Sequence, residues 1–171
     1  MKGPARVGIV LGSDSDLEVM LEAVKVLDTL QVGSDVVVAS AHRTPKKTEE
    51  YASTAEARGL GVLIAAAGGA AALPGVLAAS SALPVIGVPI AATPLGGMDA
   101  LLSIVQMPKG VPVATVAIGA WGAANAAILA AQILSVGDAA LRRRLVAYRA
   151  KLAAEVEERA RRVADKLKSR D

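Results

Sequence analysis

Apolar residues recur along this chain in two rhythms. Short unbroken runs at Val7–Leu11, Asp35–Ala39, Val62–Ala67, Val85–Val88 and Val113–Ile118 are bounded by Gly, Pro, Ser or charged residues. Runs of this length predict five strands, each covered on both faces. Between them the spacing changes. Leu17, Met20, Leu21, Val24, Leu27 and Leu30 fall three or four residues apart and predict an amphipathic helix over Asp14–Leu30. A second helix is expected from Pro45, a residue suited to a first helical turn, to Arg58. Gly75–Ser81, Ala100–Val105 and the Ala-rich Ala123–Leu134 complete the alternation. Strand alternating with helix predicts an α/β chain: a three-layer, flavodoxin-like doubly wound parallel sheet with right-handed crossovers. Ligands of such sheets bind beyond the carboxyl ends of the strands.

The tail keeps only the helical rhythm. Leu141, Leu145, Tyr148, Leu152, Val156, Val163 and Leu167 predict one long amphipathic helix from Asp138. The expected division is a catalytic core over 1–137 and a C-terminal helix over 138–171. That helix packs on its own core or on a neighbouring subunit.

Composition narrows the picture. With no Phe, one Trp and two Tyr, the core must be built from Ala, Val, Leu and Ile, and burial between subunits becomes an expected supplement. Cysteine is absent and there is one histidine. Disulfides, thiolate metal sites and multi-imidazole zinc sites are therefore excluded, and a reducing cytoplasm suits the chain. Residues 1–137 carry eight basic against ten acidic side chains, and 138–171 carry eleven against six. The basic excess is that of a mixed-charge helix with no aromatic recognition element, so a nucleic-acid partner is not expected. No charged residue lies between Arg58 and Asp99, yet Pro74, Pro84, Pro89 and Pro94 cut that stretch into pieces too short for a membrane helix. The N-terminus runs straight into the first strand without a signal-peptide pattern.

Four segments carry chemistry. Gly12-Ser13-Asp14-Ser15-Asp16 joins the first strand to its helix, where free amides favour an anion and Asp16 can accept bonds from a diol; helix capping alone also accounts for it. Ser40-Ala41-His42-Arg43-Thr44-Pro45 follows the second strand and places a guanidinium beside hydroxyls, a pairing suited to phosphate. His42 brings a group that gives and takes protons near neutral pH. The Gly68-Gly69 turn, continuing through Ala70 to Leu73 and Gly75, lets backbone approach a ligand closely or serves only packing. Ser103-Ile104-Val105-Gln106-Met107-Pro108 suits a lid or a subunit contact. No Walker A, dinucleotide or nucleophile-elbow pattern is present. What remains is non-covalent acid–base chemistry on an anchored phosphate ester.

The strings VGIVLGSDSD, VVVASAHRTP, AAAGGAAALPGV, VIGVPI, SIVQMP and GVPVATVAIG, in this order, resemble the PurE family over about Arg6 to Leu134. Its members are N5-carboxyaminoimidazole ribonucleotide mutases of purine biosynthesis and aminoimidazole ribonucleotide carboxylases. The resemblance implies a cytoplasmic octamer without metal or organic cofactor, linked in its pathway to an ATP-dependent carboxylating enzyme. It implies that Ser13 and Asp16 bind phosphate and ribose, that Ser40 and Arg43 complete the phosphate grip, and that His42 is the acid/base. Gly68, Gly69, Ala70 and Leu73 would border the base and the migrating carboxylate.

The chain departs from the family in places. The family's GGAAHLPG has its second histidine where this chain has Ala72, Leu17 stands where Trp is frequent, and Ala120-Trp121 is unusual. The resemblance therefore leaves three readings: the mutase, a carboxylase using free carbon dioxide, and a silent nucleotide-binding homologue.

Overall fold

The computed structural model describes residues 5–168. The strands are β1 (Ala5–Leu11), β2 (Gly33–Val38), β3 (Val62–Gly68), β4 (Val85–Ile90) and β5 (Ala114–Thr115). The helices are α1 (Leu17–Thr29), α2 (Pro45–Ser53), α3 (Leu73–Ala79), α4 (Met98–Val105), α5 (Ala120–Ser135) and α6 (Ala139–Lys168), with a short 3-10 turn at Asp14–Asp16 before α1. All strand pairs are parallel, in the order β2-β1-β3-β4-β5. This is the flavodoxin-like arrangement expected from the alternation.

The continuous apolar runs are explained by the two layers that cover them. Val7, Ile9 and Leu11 of β1 with Val62, Ile64 and Ala66 of β3 face α1, α5 and the start of α6. Val10, Leu63, Ala65 and Ala67 point the other way, toward α2, α3 and α4. Successive side chains of one strand thus enter opposite cores, so neither face tolerates a polar position. Shortage of bulk is met by close approach: Ala123, Ala126, Ala127, Ala130 and Ala131 of α5 are completely buried.

Several boundaries differ from the expected ones, three of them for a legible local reason. The fifth strand shrinks to Ala114–Thr115, paired with Ile86 and Gly87. Two residues on, Pro89 accepts from the Gly119 amide at 2.9 Å but has no N–H to return, so the ladder cannot continue. The second helix ends at Ser53 rather than Arg58, where the hydroxyls of Ser53 and Thr54 turn back onto the Glu50 carbonyl. The third helix begins earlier, at Leu73, with Pro74 in its first turn.

The tail helix docks only by its first turns. Asp138 accepts the Leu141 amide at 2.9 Å and the Arg6 guanidinium at 2.8 Å, tying the start of α6 to β1. Both contacts hold the Asp138 carboxyl below the usual carboxylate range, the amide more than the arginine. Arg144 donates to the Leu30 carbonyl at 2.7 Å, and Arg142 donates to the carbonyls of Ser135 and Val136. These arginines add donors to carbonyls at the C-terminal ends of α1 and α5. Leu141 and Leu145 are buried, whereas Val156, Val163 and Leu167 are about 60% exposed. The apolar stripe therefore runs off the domain, and the core covers only its first part.

Leu141 is the sealed end of that docking. Leu141→Ala is expected to cost about 2–5 kcal/mol, seen as a lower urea midpoint with an unchanged slope.

Candidate active site

In this strand order the chain reverses its direction of winding at β1, so the loops after β1 and β3 diverge to opposite faces and leave a crevice between them. A cavity of about 470 Å³ fills that crevice. The β1 loop contributes Gly12, Ser13, Ser15 and Asp16; the β2 loop contributes Ser40, Ala41, His42 and Arg43. The opposite wall is Ala67, Gly68, Ala71, Ala72 and Leu73, with Ala92 from the segment after β4.

The β1 loop is a closed capping box. The Ser13 amide donates to Asp16 Oδ2 at 3.0 Å, and the Ser13 side chain accepts from the Ser15 amide at 3.4 Å. The Ser15 hydroxyl lies between Ser13 Oγ at 2.9 Å and Asp16 Oδ1 at 3.4 Å. Asp16 is 4% exposed. Burial pushes its carboxyl above the ordinary aspartate value of 3.8, and the nearby Asp14 charge adds to the rise. The amides of Ser13 and Gly12 and the Ser15 hydroxyl pull the other way. Capping and ligand binding thus draw on the same residues.

The β2 loop is tied to the β1 loop through arginine. Arg43 Nη2 donates to the Gly12 carbonyl at 3.2 Å, and its Nε donates to Ser40 Oγ at 3.4 Å. The Arg43 amide also donates to Ser40 Oγ, at 3.2 Å, while Thr44 closes the turn by bonding both the amide and the carbonyl of Ser40. The guanidinium is thereby oriented by neutral acceptors and keeps its charge for an anion. His42 and Arg43 are both exposed.

The β3 wall depends on backbone shape. Gly69 has φ +61° and Ala71 φ +41°, a left-handed conformation that costs a non-glycine residue about 1–2 kcal/mol. At Gly68 a Cβ would sit 2.6 Å from the Ala92 Cβ and 3.1 Å from the Ile90 carbonyl, so only glycine lets the two segments meet. Strain of this kind, next to a cavity, marks a functional loop.

Of the site residues expected from sequence, Ser13, Asp16, Ser40, His42, Arg43, Gly68 and Leu73 come together in the lining. Gly69 and Ala70 do not; they form the outer bend that aims Ala71 inward. The SIVQMP segment is no lid within this chain: Ile104 is buried beneath Gly87, and Met107 lies so close to Gly75 that a Cβ there would come within 3.1 Å of its side chain. Sequence reasoning missed Ala92, whose side chain carries no chemical signal, and left out Gly12, Ser15, Ala67 and Ala71 within loops it had singled out. Ala72 lies in the wall, so the position at which the family resemblance implies a second histidine lines the cavity. Among the described residues no group of three or more His, Cys, Asp or Glu converges as a metal site, and no helix is long and apolar enough to cross a membrane.

An anion-suited crevice at the switch point of a parallel sheet, with one imidazole in its lining, defines a doubly wound α/β protein with a polar cavity at the carboxyl ends of its strands. The AIR carboxylase family model matches residues 6–155. An N5-carboxyaminoimidazole ribonucleotide mutase of Pyrococcus abyssi is 58% identical over 86% of this chain and 83% of its own. That of Bacillus subtilis is 60% identical over 81% of this chain and 86% of its own. The crystal structure of Treponema denticola PurE superposes with a TM-score of 0.80 at 28% identity, covering 89% of this chain and 94% of that one. This chain belongs to the AIR carboxylase family.

The Asp16 environment makes a signed prediction. A carboxyl raised by burial favours folding while protonated, and that contribution is lost as pH rises above 3.8 through the shifted value. Asp16→Asn should therefore melt no lower than the wild type at pH 7, and part of the wild type's loss of stability with rising pH should be absent from it. A variant that melts well below the wild type at pH 7 contradicts the assignment.

Proposed function

We propose that this chain converts N5-carboxyaminoimidazole ribonucleotide to 4-carboxyaminoimidazole ribonucleotide in purine biosynthesis, with His42 as the acid/base. The observation that carries this reading is the placement of His42 in the same lining as Arg43, Ser40, Ser13 and Asp16, opposite a wall of glycine, alanine and leucine. Relatives at 51–60% identity bearing the mutase name support it. Ser13, Ser40 and Arg43 hold the phosphate, and Asp16 accepts hydrogen bonds from the ribose hydroxyls. The turn at Gly68, Gly69 and Ala70, with Leu73, borders the heterocycle.

The chemistry needs little else. The N–C bond to the carboxyl group breaks, its electron pair stays on nitrogen, and imidazolium supplies the proton that nitrogen takes up. The ring carbon then attacks the carbon dioxide held against the apolar wall, and neutral imidazole removes the proton from that carbon. The proton given in the first half equals the one recovered in the second, so a single histidine suffices. The cavity's contribution is positional: it keeps a small intermediate beside the carbon that captures it.

Assay of the purified chain with N5-carboxyaminoimidazole ribonucleotide, and separately with aminoimidazole ribonucleotide plus bicarbonate, tests the reading. Turnover of the first substrate is expected, and His42→Asn should lower kcat by about 10²-fold or more, the usual contribution of a general acid/base. Turnover only with bicarbonate favours the carboxylase, turnover of neither favours the silent homologue, and wild-type-like rates in the variant remove the role of His42.

We further propose that the protein works in the cytoplasm as a homo-oligomer, an octamer, with residues 1–137 as the catalytic core and the C-terminal helix available to neighbours. Met98, Leu102 and Val105 form an exposed apolar stripe on α4, beside exposed Leu95, and Trp121 is 83% exposed. Monomeric soluble proteins seldom leave such surface uncovered. Light scattering at micromolar concentration should return an assembly mass; a monomer contradicts the proposal.

A further inference from the structure

Arg43 has a cavity on each side. Beyond the larger one lies a second, of about 430 Å³, that shares Gly12, Ser13, Ser40 and Arg43 with it and is otherwise lined by Asp14, Val38, Thr44 and Lys47. No sequence motif pointed to Lys47. Its ammonium donates to the Val38 carbonyl at 2.8 Å, at the last residue of the edge strand β2. Arg43 is held in the same manner, by the Gly12 carbonyl and Ser40 Oγ. Among the described residues neither cation has a carboxylate within 4.0 Å. Two cations fixed by neutral oxygens and facing one cavity without a counter-ion form a site for an anion.

The charge balance singles out Lys47. Asp14 lines the same cavity, its Oδ1 accepting the Ser13 hydroxyl at 3.1 Å. Against Arg43 alone that carboxylate would leave the cavity without net charge; Lys47 makes it positive. The Ser40 oxygen accepts twice from Arg43, which leaves its own proton free to donate. A phosphate at the junction of the two cavities would meet this hydroxyl, the guanidinium and the ammonium together.

We propose that Lys47 is a further phosphate-binding residue: from the smaller cavity it supplies a second cation, beside Arg43, to the 5′-phosphate of the ribonucleotide. This rests on the function proposed above for the same site. It adds one binding residue to that site.

Inorganic phosphate tests the site without requiring turnover. Titrated into the full chain and followed by melting temperature, it should stabilise the wild type. Lys47→Ala should weaken the apparent Kd about tenfold, the scale of one charge-assisted hydrogen bond, and Lys47→Arg should restore most of it. Lys46→Ala removes the same charge from a side chain outside both cavities and should change nothing. In turnover, Lys47→Ala should raise KM by a similar factor with kcat held within about twofold. No stabilisation of the wild type, an unchanged Kd in Lys47→Ala, or an equal loss in Lys46→Ala overturns the proposal. A wild type that binds phosphate in this way but converts no substrate overturns the proposed function and leaves the anion site standing.

Discussion

The reversal of winding at β1 is the constraint on which the rest depends. Because β1 pairs with β2 on one side and β3 on the other, the crossover through α1 packs on one face and those through α2, α3 and α4 on the other, so the loops after β1 and β3 part at the carboxyl ends. A crevice is unavoidable there, and it opens where helix N-termini present unpaired amides. β3 and β4 are buried on both faces, so the packing of differently sized side chains in two separate cores holds their register. The crevice therefore has a rigid floor, and its chemistry is left to three loops.

Those loops are not independent. Arg43 reaches from the β2 loop to the Gly12 carbonyl of the β1 loop, while Gly68 admits Ala92 into the opposite wall. The side that carries Arg43 is held by polar bonds, the other by backbone contact. The division suits a substrate with a charged end to anchor and a reacting end to shield. Arg43 both joins the loops and lines the cavities on its two sides.

At the far end of the domain, α6 shows the limit of a single chain's core. Two buried leucines and three carbonyl- or carboxylate-bound arginines fix its first turns, and the remaining apolar stripe has no cover within the described residues. With α4 and Trp121 it leaves more exposed apolar surface than one small domain requires. A core of alanine and valine buries little area per residue, which is the physical ground for the oligomer proposed above.

The sequence by itself determined the layers and their alternation, because the periods of buried strands and amphipathic helices are written in residue type alone. It also singled out Ser13, Asp16, Ser40, His42 and Arg43, which stand in loops whose composition has no role in a core and which share one cavity lining. It could not place Ala67, Ala71 and Ala92 in the lining, since an alanine that walls a cavity is spelled like one that packs a helix. Lys47 was equally silent, as a lysine on a helix reads as solvated surface until its ammonium is found on the Val38 carbonyl. Only the tertiary structure decided that Pro89 would stop the fifth strand, that the tail stripe would outrun the domain, and that Arg43 would stand between two cavities. Each depends on distances between segments far apart in the chain, and local periodicity carries no information about those.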